Sequence, residues 1–232
     1  MRVVSFNTQH CLDYIEQKID FERFAETIRG FDADVVGLNE MRGEGIDPQY
    51  TDQVKKLSEL TGMKYYFFAP AIEIRNKGLY GNGLLSRIPI LKSEIIPIPD
   101  PCPRKYGGYY ETRCILKAEL EGGVTVLVSH FGLNPDEQEN AVATAVKSFK
   151  GDKCILMGDF NMRPENPTLD PIRKLAYDTA DSFDVEKFSF PSDKPNRKID
   201  YVFVSHDLKV TAADIPPVVM SDHRPYIVDL DL

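Results

Sequence analysis

Short apolar runs of β type end, again and again, on an Asn, Asp, Glu or His. Val3-Val4-Ser5-Phe6 leads into Asn7, and Ala33–Leu38 into Asn39-Glu40. Val124–Ser129 leads into His130, and Cys154–Met157 into Gly158-Asp159-Phe160-Asn161. Asp200 stands directly before Tyr201–Ser205, and Asp222-His223 shortly before Tyr226–Leu230. Hard oxygen ligands, a base and a partner for the base are what metal-assisted phosphoester hydrolysis requires. The pattern speaks to a reaction and says little about a substrate.

The segments between these runs set the fold class. Asp20–Gly30 carries Phe21, Phe24, Ala25 and Ile28 at helical spacing and stops at Gly30. Gln49–Thr61 reads as a second helix, with Val54, Leu57 and Leu60 on one face and Gly62 ending it. Asn134–Lys150 opens Asn-Pro-Asp-Glu, a helix start in which Pro occupies the first turn. Pro167–Ala176 reads as a short helix. Further strands are expected at Tyr65–Ala69, Gly83–Ser86, Glu94–Ile98, Arg113–Leu120 and Ala213–Pro216. Gly122-Gly123 makes a hairpin turn between Arg113–Leu120 and Val124–Ser129. Arg42–Pro48, Pro97–Tyr110 and Phe188–Arg197 are the expected long loops. Hairpins mixed with strand–helix units give two mixed sheets covered by helices. With no linker, residues 1–232 read as one α/β domain.

Bulk properties remove several classes. The net charge is −8, and strong non-specific binding to duplex DNA calls for a basic balance instead. Cys11, Cys102, Cys114 and Cys154 form no CxxC pair and no zinc spacing, so free thiols are expected. No run approaches the length of a membrane span, and the N-terminus turns polar too soon for a signal peptide. A cytoplasmic location is the corresponding expectation.

The polar ends divide by role. In Gly158-Asp159-Phe160-Asn161, alternation turns Phe160 inward and returns Asn161 to the side of Asp159. That pair suits a nucleophilic water or a phosphoryl oxygen; in isolation, a strand-ending turn explains it as well. His223 is a candidate general base, and Asp200, from another strand, is its candidate orienting carboxylate. Glu40 is a natural ligand for Mg²⁺ or Mn²⁺, and Asn7 has a carbonyl oxygen to add. His130 is a candidate donor to phosphate, with a satisfied core histidine as the other reading, and Asn82 is its candidate support. Arg113 either clamps phosphate or pairs with Glu111. His10 and His206 have no comparable neighbours.

In this order the residues resemble the endonuclease/exonuclease/phosphatase superfamily, the DNase I-like fold. The motifs are Phe6-Asn7, Asn39-Glu40, Gly81–Arg87, Ser129-His130-Phe131, Gly158–Asn161, Ile199-Asp200-Tyr201 and Ser221-Asp222-His223. They span nearly the whole chain. The resemblance implies a four-layered α/β sandwich, two packed mixed β-sheets flanked by helices, and a divalent-metal phosphoesterase. It implies that Asn7, Glu40 and Asp222 lie at the metal, and that Asp159 and Asn161 hold nucleophile and phosphate. It pairs His223 with Asp200, sets His130 over the phosphate and stands Asn82 beside it. Asn39 takes the place of a commoner Gln, and the basic DNA-penetrating loops of abasic-site nucleases have only a short counterpart in Lys194–Lys198 with Arg104-Lys105.

The expected activity is hydrolysis of a phosphodiester, in nucleic acid or a small phosphorylated molecule, with Mg²⁺ or Mn²⁺. The alternatives are a phosphomonoesterase acting on an inositol, lipid or metabolite phosphate, and a catalytically silent binding module of the same fold.

Overall fold

The computed structural model describes all 232 residues. The chain forms β1 (Arg2–Asn7), α1 (Phe21–Gly30), β2 (Val35–Gly45), α2 (Gln53–Thr61), β3 (Tyr65–Ile74) and β4 (Gly78–Ser86). There follow β5 (Ile90–Pro97), β6 (Cys114–Leu120), β7 (Thr125–His130), α3 (Pro135–Ser148), β8 (Cys154–Asp159) and α4 (Asp170–Arg173). β9 (Tyr177–Asp178), β10 (Asp200–Val204), β11 (Lys209–Asp214) and β12 (Tyr226–Asp231) complete it. One six-stranded sheet has the order β11-β12-β1-β2-β4-β3, the other β5-β6-β7-β8-β10-β9. Both are mixed, with β1–β2 and β7–β8 the parallel pairs.

Strand alternation sorts the core into three layers of contact. Val3, Val35, Leu84 and Val228 face Leu116, Val128, Met157 and Val202 between the two sheets. Val4, Phe6, Val36 and Leu38 turn the other way, onto Phe24 and Ile28 of α1 and Val54 and Leu57 of α2. Leu127, Leu156 and Phe203 turn outward onto Ala141, Val142 and Ala145 of α3. The result is the expected four-layered α/β sandwich. Each fully buried Val, Leu, Ile or Phe contributes about 1.5–3 kcal/mol, so the order of layers follows from period-two patterning. Gly37 permits the sheets to meet closely, since a Cβ there would stand 2.9 Å from Met157 and Val128 side-chain atoms.

The helices start where capping chemistry permits. Asp20 and Asp52 accept from the backbone N–H groups of Arg23 and Lys55 at the heads of α1 and α2. The second helix therefore begins at Gln53, four residues later than the spacing predicts. Glu137 accepts from the Asn134 N–H at 3.1 Å at the head of α3. Pro167–Ala176 forms a 3₁₀ turn followed by the single turn of α4.

The strand expected at Ala213–Pro216 lies earlier, at Lys209–Asp214, and one expected loop is partly strand. Arg42–Pro48 is not loop throughout, because β2 continues to Gly45, pairing Met41 with Gly81, Arg42 with Tyr80 and Gly45 with Gly78. β3 likewise continues to Ile74, opposite Gly78. Glycine lowers strand propensity, but here its backbone supplies the ladder for two longer neighbours. Tyr80 of the extended β3–β4 hairpin lies beside Glu40. No helix is long and apolar enough to cross a membrane.

Candidate active site

The ends of both sheets converge on one cluster. Asn7 closes β1, and Asn39 and Glu40 sit in a β-bulge of β2. Leu38 pairs with Gly83 and Met41 with Gly81, so Asn39 and Glu40 together oppose Asn82. Glu40 takes a positive φ of 63°. A bulge re-aims neighbouring side chains: Asn39 enters the space between the sheets, while Glu40 meets Asn7.

On the other sheet, β7 and β8 run parallel with His130 opposite Asp159. The approach needs glycine at 158, where φ is 145° and a Cβ would lie 1.8 Å from the Ser129 carbonyl oxygen. Antiparallel pairing of β8 with β10 sets Asp200 opposite Asp159. His223 arrives on the segment before β12. The Ser192 N–H donates to the Asp222 carbonyl at 2.7 Å, and Arg224 donates to the Ser189 and Ser192 carbonyls, fastening loop 188–197 to this segment. The Phe190 ring centre lies 4.8 Å from that of His223.

Hydrogen bonds join the cluster. His223 Nδ1 is 2.8 Å from Asp200 Oδ2, and its Nε2 is 3.6 Å from Asp159 Oδ2. The Asn161 N–H donates to Asp159 Oδ1 at 2.9 Å. Arg113 Nη1 donates to His130 Nδ1 at 3.0 Å. Arginine has no acceptor, so the His130 ring proton sits on Nε2, 3.4 Å from Asp159 Oδ2. Asn161 Nδ2 lies 3.1 Å from that Nε2 and donates instead to the Phe131 carbonyl at 3.0 Å. Phe160 stacks between Phe131 and Tyr201 beneath the site.

Burial governs the electrostatics. It pushes the Asp159 carboxyl up to about 7; His223 opposes the rise, and Asp200 adds to it. Burial also disfavours charge on His223, but Asp200 and Asp159 outweigh it and hold the imidazole at about 10. Burial, with Arg113 and His223, keeps His130 neutral. Glu40 is raised by burial, opposed by the Asn7 hydrogen bond and reinforced by Asp222.

The structure brings Asp159, Asn161, Asp200, His130, His223, Glu40 and Asn7 together, with Arg113 and Asp222 at the edge. Two expected roles change. The Asn7 carbonyl oxygen accepts from the Gln9 N–H, and it is Nδ2 that lies 3.1 Å from both Glu40 Oε1 and Asp159 Oδ2. Asn82 does not support His130. It is buried between the sheets, accepting from Asn39 at 2.8 Å and donating to the Cys114 carbonyl at 3.0 Å. Arg113 does both things the sequence offers, pairing with Glu111 at 2.5 Å while holding His130.

Two contacts escaped the sequence reading, which named Asn39 only in its motif and Tyr80 not at all. Asn39 accepts from the Asp159 N–H at 3.0 Å, and the Tyr80 phenol is pushed up by burial and by the Glu40 carboxylate beside it. The pairing of Tyr80 with Arg42 depends on the strand extension, which no local signal announced. A surface cavity of about 530 Å³ lies elsewhere, lined by Phe31, Ala213, Pro216 and Ile227 among others, and holds none of these groups.

The donor set suits a divalent cation. Asp159, Asp200 and His223 present ligand atoms within 4.8 Å of one another, and Asp200 Oδ1 is buried with no hydrogen-bond partner. His223 Nδ1, however, is committed to Asp200. Asp222 is a carboxylate close enough to raise the charge cost of Glu40, as hard oxygen ligands around a cation do. These two carboxylates fit the metal better than the imidazole does.

Fold and cluster together define a phosphoesterase-type α/β sandwich. Residues 4–223 match the Endonuclease/Exonuclease/phosphatase family, and the chain belongs to it. No curated protein matches the sequence. An endonuclease/exonuclease/phosphatase of Beutenbergia cavernae DSM 12333 superposes with a TM-score of 0.78 at 21% identity, over 100% of this chain and 71% of the other. One from Bacteroides vulgatus gives 0.77 at 19% identity, over 100% and 98%. A mannosyl-6-phosphatase of Bacteroides thetaiotaomicron VPI-5482 gives 0.76 at 16% identity, over 100% of both. These likenesses are of fold.

Proposed function

We propose that the protein is a divalent-metal-dependent phosphoester hydrolase that prefers diesters. The observation carrying this reading is the Asp200–His223–Asp159 array, facing Glu40 across Asn7 and flanked by a neutral His130. When bound, Mg²⁺ or Mn²⁺ at Glu40 and Asp222 would supply positive charge for the phosphoryl oxygens.

Asp159 orients water and takes one of its protons, a task suited to a carboxylate with a pKa near 7. The water oxygen bonds to phosphorus, the opposite P–O bond breaks, and the leaving oxygen takes a proton from solvent. His223, held cationic by Asp200, and the His130 Nε2–H stabilise charge on the non-bridging oxygens. We take Asp159 as the base because Asp200 and Asp159 favour the protonated form of His223.

The diester preference rests on charge. Glu40, Asp159, Asp200 and Asp222 face one imidazolium, while Arg113 is neutralised by Glu111. Even with one divalent cation, such a site tolerates a monoanionic diester better than a dianionic monoester. The test is hydrolysis of bis-p-nitrophenyl phosphate against p-nitrophenyl phosphate with Mg²⁺ or Mn²⁺, with EDTA and Asp159→Ala as controls. Asp159→Ala and His223→Ala should each lower turnover at least ~100-fold while leaving the protein folded. Near-normal turnover in both variants would sink the mechanism. Preference for the monoester would select the phosphatase alternative, and no metal-dependent turnover with no metal-induced stabilisation would select the silent binding module.

A further inference from the structure

Two buried carboxamides cross an interface built mainly from apolar side chains. Asn39 Oδ1 accepts from the Asp159 N–H at 3.0 Å. Asn39 Nδ2 donates to Asn82 Oδ1 at 2.8 Å and to the Ser129 carbonyl at 3.0 Å. Asn82 Nδ2 donates to the Cys114 carbonyl at 3.0 Å. Asn39 is 0% and Asn82 2% exposed. Through these bonds β2 and β4 of one sheet grip β6, β7 and β8 of the other. Around them the sheets meet through Val35, Leu84, Val128 and Met157, contacts that are non-directional and leave lateral register loosely set.

The bonds end on the two halves of the site. Asn39 is covalently next to Glu40, and its oxygen holds the backbone of Asp159. On the other side, the buried Asn7 Nδ2 stands 3.1 Å from both carboxylates. The spacing of Glu40 and Asp159 is thus fixed above by Asn7 and below by Asn39. The bulge makes this possible, since it sends adjacent residues of one strand in different directions. In a dry interior the lower bonds are strong and cannot be replaced by water.

We infer that Asn39, held in place by Asn82, is a positioning residue that sets the distance between Glu40 and Asp159 across the two sheets. Asn82 matters most for testing this, because it touches no group assigned to the reaction and reaches Asp159 through Asn39, its other bond going to the Cys114 carbonyl. The inference rests on the hydrolase reading for its activity readout, but not for its structural one.

The experiment combines Asn39→Ala, Asn82→Ala and the double variant, with kcat and KM on bis-p-nitrophenyl phosphate and native-state hydrogen exchange of the Asp159 amide. Asn82→Ala should lower kcat at least about tenfold with KM within about twofold, since displacement of a reacting group by a fraction of an ångström acts on turnover. Adding Asn82→Ala to Asn39→Ala should lower kcat little further, the non-additivity of one shared path. The Asp159 amide should exchange faster in Asn82→Ala than global unfolding accounts for. Should either alanine variant fail to fold, Asn82→Ser, which keeps a shorter donor and acceptor, is measured instead and should give a partial loss. A lower melting temperature with unchanged kcat and unchanged Asp159 protection would overturn the inference. A wild-type protein inactive on every ester would refute the hydrolase reading, and exchange at Asp159 would still decide the role of Asn39.

Discussion

His223 Nδ1 lies 2.8 Å from Asp200 Oδ2, with Asp159 Oδ2 3.6 Å from the other ring nitrogen. Flanked by two carboxylates, a buried imidazole keeps its proton to about pH 10, whereas in the unfolded chain it loses it near 6.5. Folded protein therefore binds more protons than unfolded protein between those values. The stability that His223 contributes is fully present below about 6.5 and is lost as pH rises toward 10. Chemical denaturation in EDTA should show wild type losing stability relative to His223→Gln across that window. Parallel curves would mean that the imidazole is not held charged.

The raised carboxyls of Glu40 and Asp159 lead to a metal prediction. Burial holds both above the ordinary range, and a cation at Glu40 would reverse that by favouring their charged forms. Mn²⁺ should therefore stabilise the fold, by about 2.7 kcal/mol at a hundred times its Kd. Glu40→Gln should abolish most of the effect and Asp222→Asn part of it. Titration of melting temperature against Mn²⁺ measures both, and an undiminished shift in Glu40→Gln would move the cation elsewhere.

How much of this was legible before the structure follows from locality. Asn7, Glu40, His130, Asp159, Asp200 and His223 could be singled out because each ends or begins an apolar run, a pattern confined to a few neighbouring residues. The two layers of helix and two of sheet were legible for the same reason. What the sequence hid depends on contacts far along the chain. The donor role of Asn7 is set by the Gln9 N–H, in a turn where Gln9, His10 and Cys11 all take positive φ. The amide pairing of Asn39 with Asn82 depends on a bulge. The length of β2 depends on glycines in β4 that propensity counts against strand.

Glycine 158 gives a sharper test of the strand-end geometry. With φ at 145° and the Ser129 carbonyl oxygen 1.8 Å from any Cβ, Gly158→Ala must displace β7 from β8. A loss of ~3 kcal/mol or more is expected in urea unfolding, the scale of a strained, overpacked backbone. Gly30, at the end of α1, has nothing within 4 Å of its Cβ position and no positive φ. Gly30→Ala should instead stabilise by up to about 1 kcal/mol. Equal effects at the two positions would contradict the close approach of β7 and β8.

Arg113 ties substrate side to scaffold side. Its guanidinium pairs with Glu111 at 2.5 Å and donates to His130 Nδ1 at 3.0 Å, and both Arg113 and Glu111 are largely buried. Arg113→Ala would leave the Glu111 charge without its partner and free the His130 tautomer. Lysine offers one compact ammonium where two directed contacts are needed, so Arg113→Lys should restore little. Turnover should fall about 10- to 100-fold in both variants, as for loss of an oriented donor to the developing charge. The His130 ring resonances report the cause directly. Burial and Arg113 together depress its pKa, so removing the guanidinium should raise it, though not to the free value while the ring stays buried. A pH titration by NMR in Arg113→Ala that shows no upward movement would separate Arg113 from His130 and leave it only the pairing with Glu111.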